Sequence, residues 1–241
     1  SEMTDYVAID LEMTGLTPRL DRIIEIGASK HKAGSIETFQ TLVDPEMPLT
    51  EKVTEITGIT NDMLEGATDI DSAMTSFMEF VGDLPLVAHC VSMDYAFLKQ
   101  WALNHKVDMA YQGVDTLYLS RRLCPDTEKH TLLAMQEYFG IKNDKQHRAL
   151  GDAVACDELY QKLLEKFGDQ DPSIFAPRPL HYSGKKQTPA TQRQLKYLKE
   201  FLAYHNLTPE SQDIVFEKLT RSEASRKTDQ LLSTYGRMNE K

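Results

Sequence analysis

Apolar and polar positions along the chain alternate between the period of a strand and the period of a helix. Tyr6 to Leu11 is a short apolar run rich in strand formers and closed by Thr14 and Gly15, which predicts a buried strand with side chains alternating between faces. Arg22 to Lys32 and Glu37 to Val43 read as two further strands, and the tight Ala33-Gly34-Ser35 link favours a hairpin between them. Helical spacing follows near Glu51 to Ile56 and over Asp71 to Val81. Leu84 to Ala88 is another buried strand, and Ser92 to His105 a helix with Phe97, Leu98, Trp101 and Leu103 inward. A short strand spans Gly113 to Asp115, and helices run through Arg122, Phe139 and Phe167. In the last of these Asp152, Cys156, Leu159 and Leu163 fall near one stripe, and Gly168 is a stop signal. Strands interleaved with helices in this way predict an α/β fold, a mixed sheet covered on both faces.

Around Asp171 the pattern changes. Residues 169–187 hold Pro172, Pro177 and Pro179 among Gly, Asp, Ser and Lys, which predicts a linker or an extended arm packed over the preceding domain. Helical start signals then appear three times. Thr188-Pro189 and Thr208-Pro209 each set a hydroxyl before a first-turn proline, and Thr220 to Glu223 spells a capping box. The expected helices are Ala190 to His205, Pro209 to Leu219 and Arg221 to Tyr235, with Leu198, Phe201, Ile214 and Leu231 among the residues of a miniature core. The organisation expected is therefore a domain over 1–168, a linker over 169–187 and a small helical module over 188–241.

Charge separates the same parts. Residues 1–172 carry 15 Lys and Arg against 30 Asp and Glu, a net −15, whereas 173–241 carry 12 against 7, a net +5, leaving −10 for the whole. Lys185, Lys186, Arg193, Lys196 and Lys199 of the tail offer a local positive surface that would suit a polyanionic partner; a solvated helix face explains these residues equally well. No stretch approaches the 18 or so consecutive apolar residues of a membrane span, and no signal-peptide pattern opens the chain. Cys90, Cys124 and Cys156 are odd in number and widely spaced, which fits a reducing cytoplasm and three small buried hydrophobes rather than disulfides or zinc.

Five residues in three segments carry candidate chemistry: Asp10 and Glu12 in VAIDLE, Asp94 in SMDYAFL, and His147 with Asp152 in HRALGD. On a strand Asp10 and Glu12 point the same way, and two such carboxylates lose hydration and repel unless a cation or proton settles between them. Spacing alone fits Glu12 turned outward with Asp10 capping the loop just as well. Asp94 alone is explained by a first-turn acid favoured by the helix dipole. His147 and Asp152 are five apart, about 140° of helical rotation at roughly 100° per residue, so they do not share a helical face. His147 is therefore expected on the approach to the helix, with Asp152 projecting from its first turn towards the sheet.

Together AIDLEMTGL (8–16), DRIIEIGA (21–28), ITGIT (56–60), LVAHCVSMDYAFL (86–98) and HRALGDA (147–153) resemble the DnaQ-like exonuclease family, in its subclass with Asp, Glu, Asp, Asp and a catalytic His. The resemblance covers about the first 167 residues in the family's order. The interval between His147 and Asp152 matches the histidine subclass rather than the tyrosine one. Cys90 stands where relatives often have Asn, and Met93 where they often have Phe; Met13, commonly Thr in proofreading relatives, is familiar from oligoribonucleases.

The resemblance implies a ribonuclease H-like fold, a mixed five-stranded sheet flanked by helices, with the carboxylates at one edge of the central strands. It implies two Mg2+ or Mn2+ ions, with Asp10, Glu12 and Asp152 around the first, Asp10 bridging to the second and Asp94 supporting it. His147 then takes a proton, a role suited to an imidazole because its unperturbed pKa of about 6.5 lies near neutrality. Met13, Thr14, Gly15 and Leu16 correspond to the pocket for the terminal nucleotide. The expected reaction is 3′ to 5′ hydrolysis of DNA, at single-stranded 3′ ends, releasing nucleoside 5′-monophosphates in proofreading, repair or end trimming. RNA or short oligonucleotides are the alternative substrates, and a polymerase or other DNA-processing complex is an expected partner. A non-catalytic binding scaffold is the reading from another class, and it gives little reason to keep all five residues.

Overall fold

The computed structural model describes residues 5–144 and 147–239. Strands β1 (Tyr6–Met13), β2 (Ile23–Lys32) and β3 (Ser35–Leu42) form an antiparallel meander. Its hairpin turns on Ala33 and Gly34, at φ of 51° and 80°, the two successive left-handed residues whose twist matches that of the flanking strands. Helices α1 (Glu51–Thr57) and α2 (Ile70–Val81) lead to β4 (Leu86–Ala88), which lies parallel to β1. Helix α3 (Val91–Asn104), strand β5 (Gln112–Asp115) and helices α4 (Thr116–Leu123), α5 (Leu132–Phe139) and α6 (Ala149–Phe167) follow.

The sheet order is β3-β2-β1-β4-β5-β6, so it has six strands where five are expected from the sequence. The additional strand, β6 (Arg178–Pro179), comes from the proline-bearing segment and pairs antiparallel with Gln112 and Gly113. Two residues leave no periodicity to detect, and proline is tolerated there because an edge strand offers one side without ladder bonds. The rest of this segment behaves as an arm on α3. Tyr182 donates its hydroxyl to Gln100, Gln100 donates to the Lys185 carbonyl, and Asn104 donates to the Gln187 side chain.

Side chains of β1 divide strictly by parity. Val7, Ile9 and Leu11 enter the core beneath α2 and α3 with Phe77, Leu98 and Trp101, whereas Tyr6 and Ala8 join the opposite core with Leu159, Tyr160 and Leu163 of α6. Asp10 and Glu12 continue the second set, so the acidic pair emerges where that face approaches the first turn of α6.

A third apolar cluster draws only on residues from Ala190 onward, centred on Leu198, Phe201, Leu202, Ile214 and Leu231. Helix α7 (Gln192–Tyr204) starts two residues later than expected, because Thr191 and Gln194 form the capping box while Pro189 bridges to Thr220. Helix α8 (Arg221–Tyr235) begins at the predicted Thr220–Glu223 box. The helix expected over Pro209 to Leu219 is replaced by two single 3-10 turns, Glu210–Gln212 and Phe216–Lys218. Asp213 takes a left-handed conformation at φ 56°, and the Ile214 amide returns to the Pro209 carbonyl. The turn buries Ile214, which a straight continuation through the polar Ser211-Gln212-Asp213 run has no apolar stripe to favour.

Candidate active site

Asp10 and Glu12 lie on the same face of β1, opposite Gly27 and Glu25 of β2. Asp152 reaches the pair from the first turn of α6. One carboxylate oxygen from each of the three lies within 4.8 Å of the other two, which replaces the alternative of an outward Glu12 with a convergent cluster. Asp94 comes from the first turn of α3, is buried at 6% exposure, and accepts the Leu11 backbone N–H. It sits outside the triple, yet its charge acts directly on Asp10.

The electrostatic cost of this gathering is visible in every member. Burial holds the Asp10 carboxyl well above the usual carboxylate range, and Asp94, Glu12 and Asp152 add to it. Glu12 is pushed up to about 8, first by burial, then by Asp152 and Glu25. Burial likewise raises Asp94, with Asp115 adding and the Leu11 amide opposing. Asp152 is raised by burial and drawn back by the Asn143 side-chain amide at 2.9 Å and by His147. Oδ2 of Asp10 is buried and has no hydrogen-bond partner among the described residues. Three converging carboxylates, one of them with an orphaned buried oxygen, are a donor set that suits a hard divalent cation such as Mg2+ or Mn2+.

Sequence reasoning missed the residues that fix α6 against the sheet. Glu25 is fully buried and accepts from Nε and Nη2 of Arg148 at 3.0 and 2.6 Å, and from the Ala149 amide at 2.8 Å. The pair thus anchors the residue after His147 and satisfies one of the open N–H groups of the helix start. Gly27 permits the approach, since a Cβ there would meet the Ala149 carbonyl carbon and the Leu150 nitrogen at 2.3 Å. Further along the same face, Asp157 of α6 receives the Tyr6 hydroxyl at 2.5 Å and touches Ser29 and His31. A Glu within the apolar run IIEIG was the available signal, because an acid in a buried strand requires a partner. Gly27→Ala is expected to cost about 1–3 kcal/mol or more, the usual range for overpacking against a neighbour that cannot yield, and to reduce nuclease rate beyond the loss of folded protein. Urea unfolding combined with rates normalised to folded enzyme checks this; a wild-type rate at wild-type stability would remove α6 docking from the account.

His147 stands where expected, exposed on the approach to α6, at φ 65°. Its backbone N–H bonds to Asp152, which couples the imidazole-bearing residue to the carboxylate cluster. Met13, Thr14, Gly15 and Leu16 leave β1 just after a register shift at Glu12/Met13. Leu16 is 72% exposed, a large apolar side chain open to solvent three residues beyond the end of β1. Cys90 differs from the expectation of a buried hydrophobe. It is half-buried and stands at the N-cap of α3 at φ 72°, with its amide on Asp115 at 2.9 Å, whereas Cys124 and Cys156 are buried as expected. Asn is among the residues that tolerate a left-handed backbone best, which fits the Asn that the family resemblance leads one to expect where Cys90 stands.

The Exonuclease family model, RNase_T, matches residues 7–160. The chain is 38% identical over 167 residues to the PolC-type DNA polymerase III of Clostridium perfringens, covering 69% of this chain and 12% of that protein. It is 36% identical over 163 residues to the DNA polymerase III subunit epsilon of Aquifex aeolicus, covering 67% of this chain and 81% of the subunit. The chain therefore spans only a small part of the PolC-type relatives and most of the epsilon subunit. In fold it resembles Exonuclease X in complex with 5′ overhanging duplex DNA, with a TM-score of 0.57 and 24% identity over 71% of this chain and 99% of the other. The nuclease domain of 3′hExo, a DEDDh family member bound to rAMP, matches with a TM-score of 0.59 and 21% identity over 74% of this chain and 98% of the other. By the family match over most of its first two thirds, the chain belongs to the DnaQ-like 3′–5′ exonuclease family.

Proposed function

We propose that the protein removes nucleotides from the 3′ end of single-stranded DNA and releases nucleoside 5′-monophosphates, in proofreading, repair or end trimming. The observation that carries the reading is the convergence of Asp10, Glu12 and Asp152, with one buried oxygen of Asp10 left without a hydrogen-bond partner among the described residues. In this reading Asp10, Glu12, Asp152 and Asp94 hold two Mg2+ or Mn2+ ions. Such ions, when bound, activate the attacking water and stabilise the departing oxygen. Water oxygen forms the new bond to phosphorus, the bond to the 3′ oxygen of the preceding nucleotide breaks, and His147 accepts the proton lost by the water. Met13 to Leu16 receive the terminal nucleotide, with Leu16 against the base. Residues 1–168 form the catalytic unit, 169–187 the connecting arm and 188–241 an accessory module.

Similarity to polymerase III subunits supports an association with a DNA-processing complex in the cytoplasm. No helix among the described residues is long and apolar enough to cross a membrane. Met13 beside the acidic pair favours a second reading, in which RNA or short oligonucleotides are the substrate.

A time course on 5′-labelled single-stranded DNA and RNA of matched sequence, with Mg2+, Mn2+ or chelator, tests both. Stepwise shortening of DNA from the 3′ end with metal, and none in chelator, is the expected result. Faster loss of RNA would transfer the assignment to the second reading, and intact strands of both kinds under every condition would leave only a binding scaffold.

A further inference from the structure

The loop joining β1 to β2 has little packing of its own, since Leu16, Thr17 and Arg19 are exposed. It is closed internally by an exchange between Thr14 and Arg22: the Thr14 amide donates to the Arg22 carbonyl at 2.9 Å, and the Arg22 amide to Thr14 Oγ1 at 2.8 Å. Asp21 sits at its centre. One carboxylate oxygen accepts the Thr17 amide at 2.9 Å, and a Cβ on Gly15 would come within 2.4 Å of that oxygen. The loop is thus wound around a nearly buried negative charge, and its shape depends on what neutralises that charge.

The neutralising groups come from more than 160 residues away. Arg226 of α8 donates Nη1 to Asp21 at 3.0 Å and Nη2 to the Leu20 carbonyl at 2.9 Å. Glu223, one turn earlier on α8 and 5% exposed, holds the Arg22 guanidinium through Nη2 at 2.6 Å and Nε at 3.0 Å. The same guanidinium donates to the carbonyls of Pro45 at 2.9 Å and Lys218 at 2.6 Å. From the arm, Gln187 donates its side-chain amide to the Arg19 carbonyl. Bidentate pairing of a planar guanidinium fixes orientation as well as distance. Arg22 makes such a pair with Glu223, while Arg226 of opposite polarity divides its guanidinium between the Asp21 carboxylate and the Leu20 carbonyl, so two pins set the loop against α8.

We propose that Glu223 and Arg226 are positioning residues for the exonuclease: α8 holds residues 14–22 in the shape that receives the 3′-terminal nucleotide. This rests on the reading that Met13 to Leu16 line that pocket. The C-terminal module then acts through geometry at the site rather than as a basic anchor for the strand, although its net charge is positive. The two roles differ in sign for one substitution. Glu223→Gln removes a negative charge, so an electrostatic anchor would bind the polyanion more tightly, whereas a lost pin weakens substrate capture. Gln194 already serves as the reciprocal capping partner of Thr191 on α7, so Gln at 223 preserves the start of α8.

The test uses the full chain as wild type, Glu223→Gln and Arg226→Met, with steady-state hydrolysis of a single-stranded DNA oligonucleotide and hydrogen exchange of the 14–22 peptide by mass spectrometry. Both variants should raise KM by about 5-fold or more, the lower end of typical coupling between sites, with a smaller change in kcat, and should accelerate exchange in residues 14–22 while α6 keeps its protection. A Glu223→Gln enzyme with wild-type or lower KM overturns the proposal, even if the loop exchanges faster. If the wild type degrades no nucleic acid, the assigned function fails, and unchanged loop exchange in both variants would then independently reject the clamp.

Discussion

Replacing Asp10 with Asn should reduce nuclease activity by about 10³-fold or more, because metal-derived stabilisation of several kcal/mol is lost at roughly 1.4 kcal/mol per tenfold in rate. The same variant should be more stable than wild type in chelator. Burial and the neighbouring Asp94, Glu12 and Asp152 all penalise the charged form of Asp10, and one of its oxygens has no partner among the described residues. An amide of the same shape fills the same space, introduces no charge, and can donate to a neighbouring carboxylate. Relief of about 1–3 kcal/mol is the scale of an unsatisfied buried polar group. Divalent cation should raise the melting temperature of the wild type through binding to the folded state alone, and this increment should shrink or vanish in Asp10→Asn. Inactivity with a gain in metal-free stability separates a site that trades stability for chemistry from a residue needed merely to fold. Melting curves in Mn2+ and in chelator, alongside rates, decide it; equal cation-induced stabilisation of both proteins would show that the cluster is not where the ions bind.

The opposite behaviour of Asp10 and Glu25 shows what could be read from the sequence and what could not. Period-two alternation makes a shared face for Asp10 and Glu12 one of two readings, and the family pattern carried in order over residues 7–160 selects it. Helical rotation places His147 on the approach and Asp152 in the first turn, while their roles come only from the family resemblance. Glu25 has the same period-two address, directly opposite Glu12, yet its role depends on Arg148, 123 residues later, whose side chain swings back to the sheet. Nothing local distinguishes a buried Glu that anchors a helix from one that holds a cation. Strand β6 escaped notice for a related reason, since its pairing is defined by the edge it meets rather than by its own two residues. The 3-10 turns over 210–218 show local capping signals overruled by burial, with Ile214 drawn inward at the expense of a regular helix. The pins between α8 and the β1–β2 loop join residues about 200 apart, and only the fold brings them together.

His147→Gln should lower kcat by about 10²–10⁴-fold, the usual contribution of a positioned general base, while leaving cation-induced stabilisation at its wild-type value. The imidazole is exposed and stands apart from the carboxylate triple, so its loss removes no ligand from the set formed by Asp10, Glu12 and Asp152. Its place is set from the backbone. Glu25 fixes Arg148 and Ala149 immediately after it, and the His147 amide bonds Asp152 just before the cluster. The left-handed backbone at 147, with φ 65°, turns the chain from its approach into α6 and is strained for a residue with a side chain. Gln is less at home than His in a left-handed backbone, and the metal-dependent melting measured alongside the rate shows whether the turn survives the substitution. Strain held at this position by two flanking anchors is the arrangement expected where a side chain must meet water without being buried. A loss in kcat without a loss in metal-dependent melting would assign His147 to proton transfer. Loss of both would make it part of the cation site, and a rate within a few-fold of wild type would mean that another group accepts the proton.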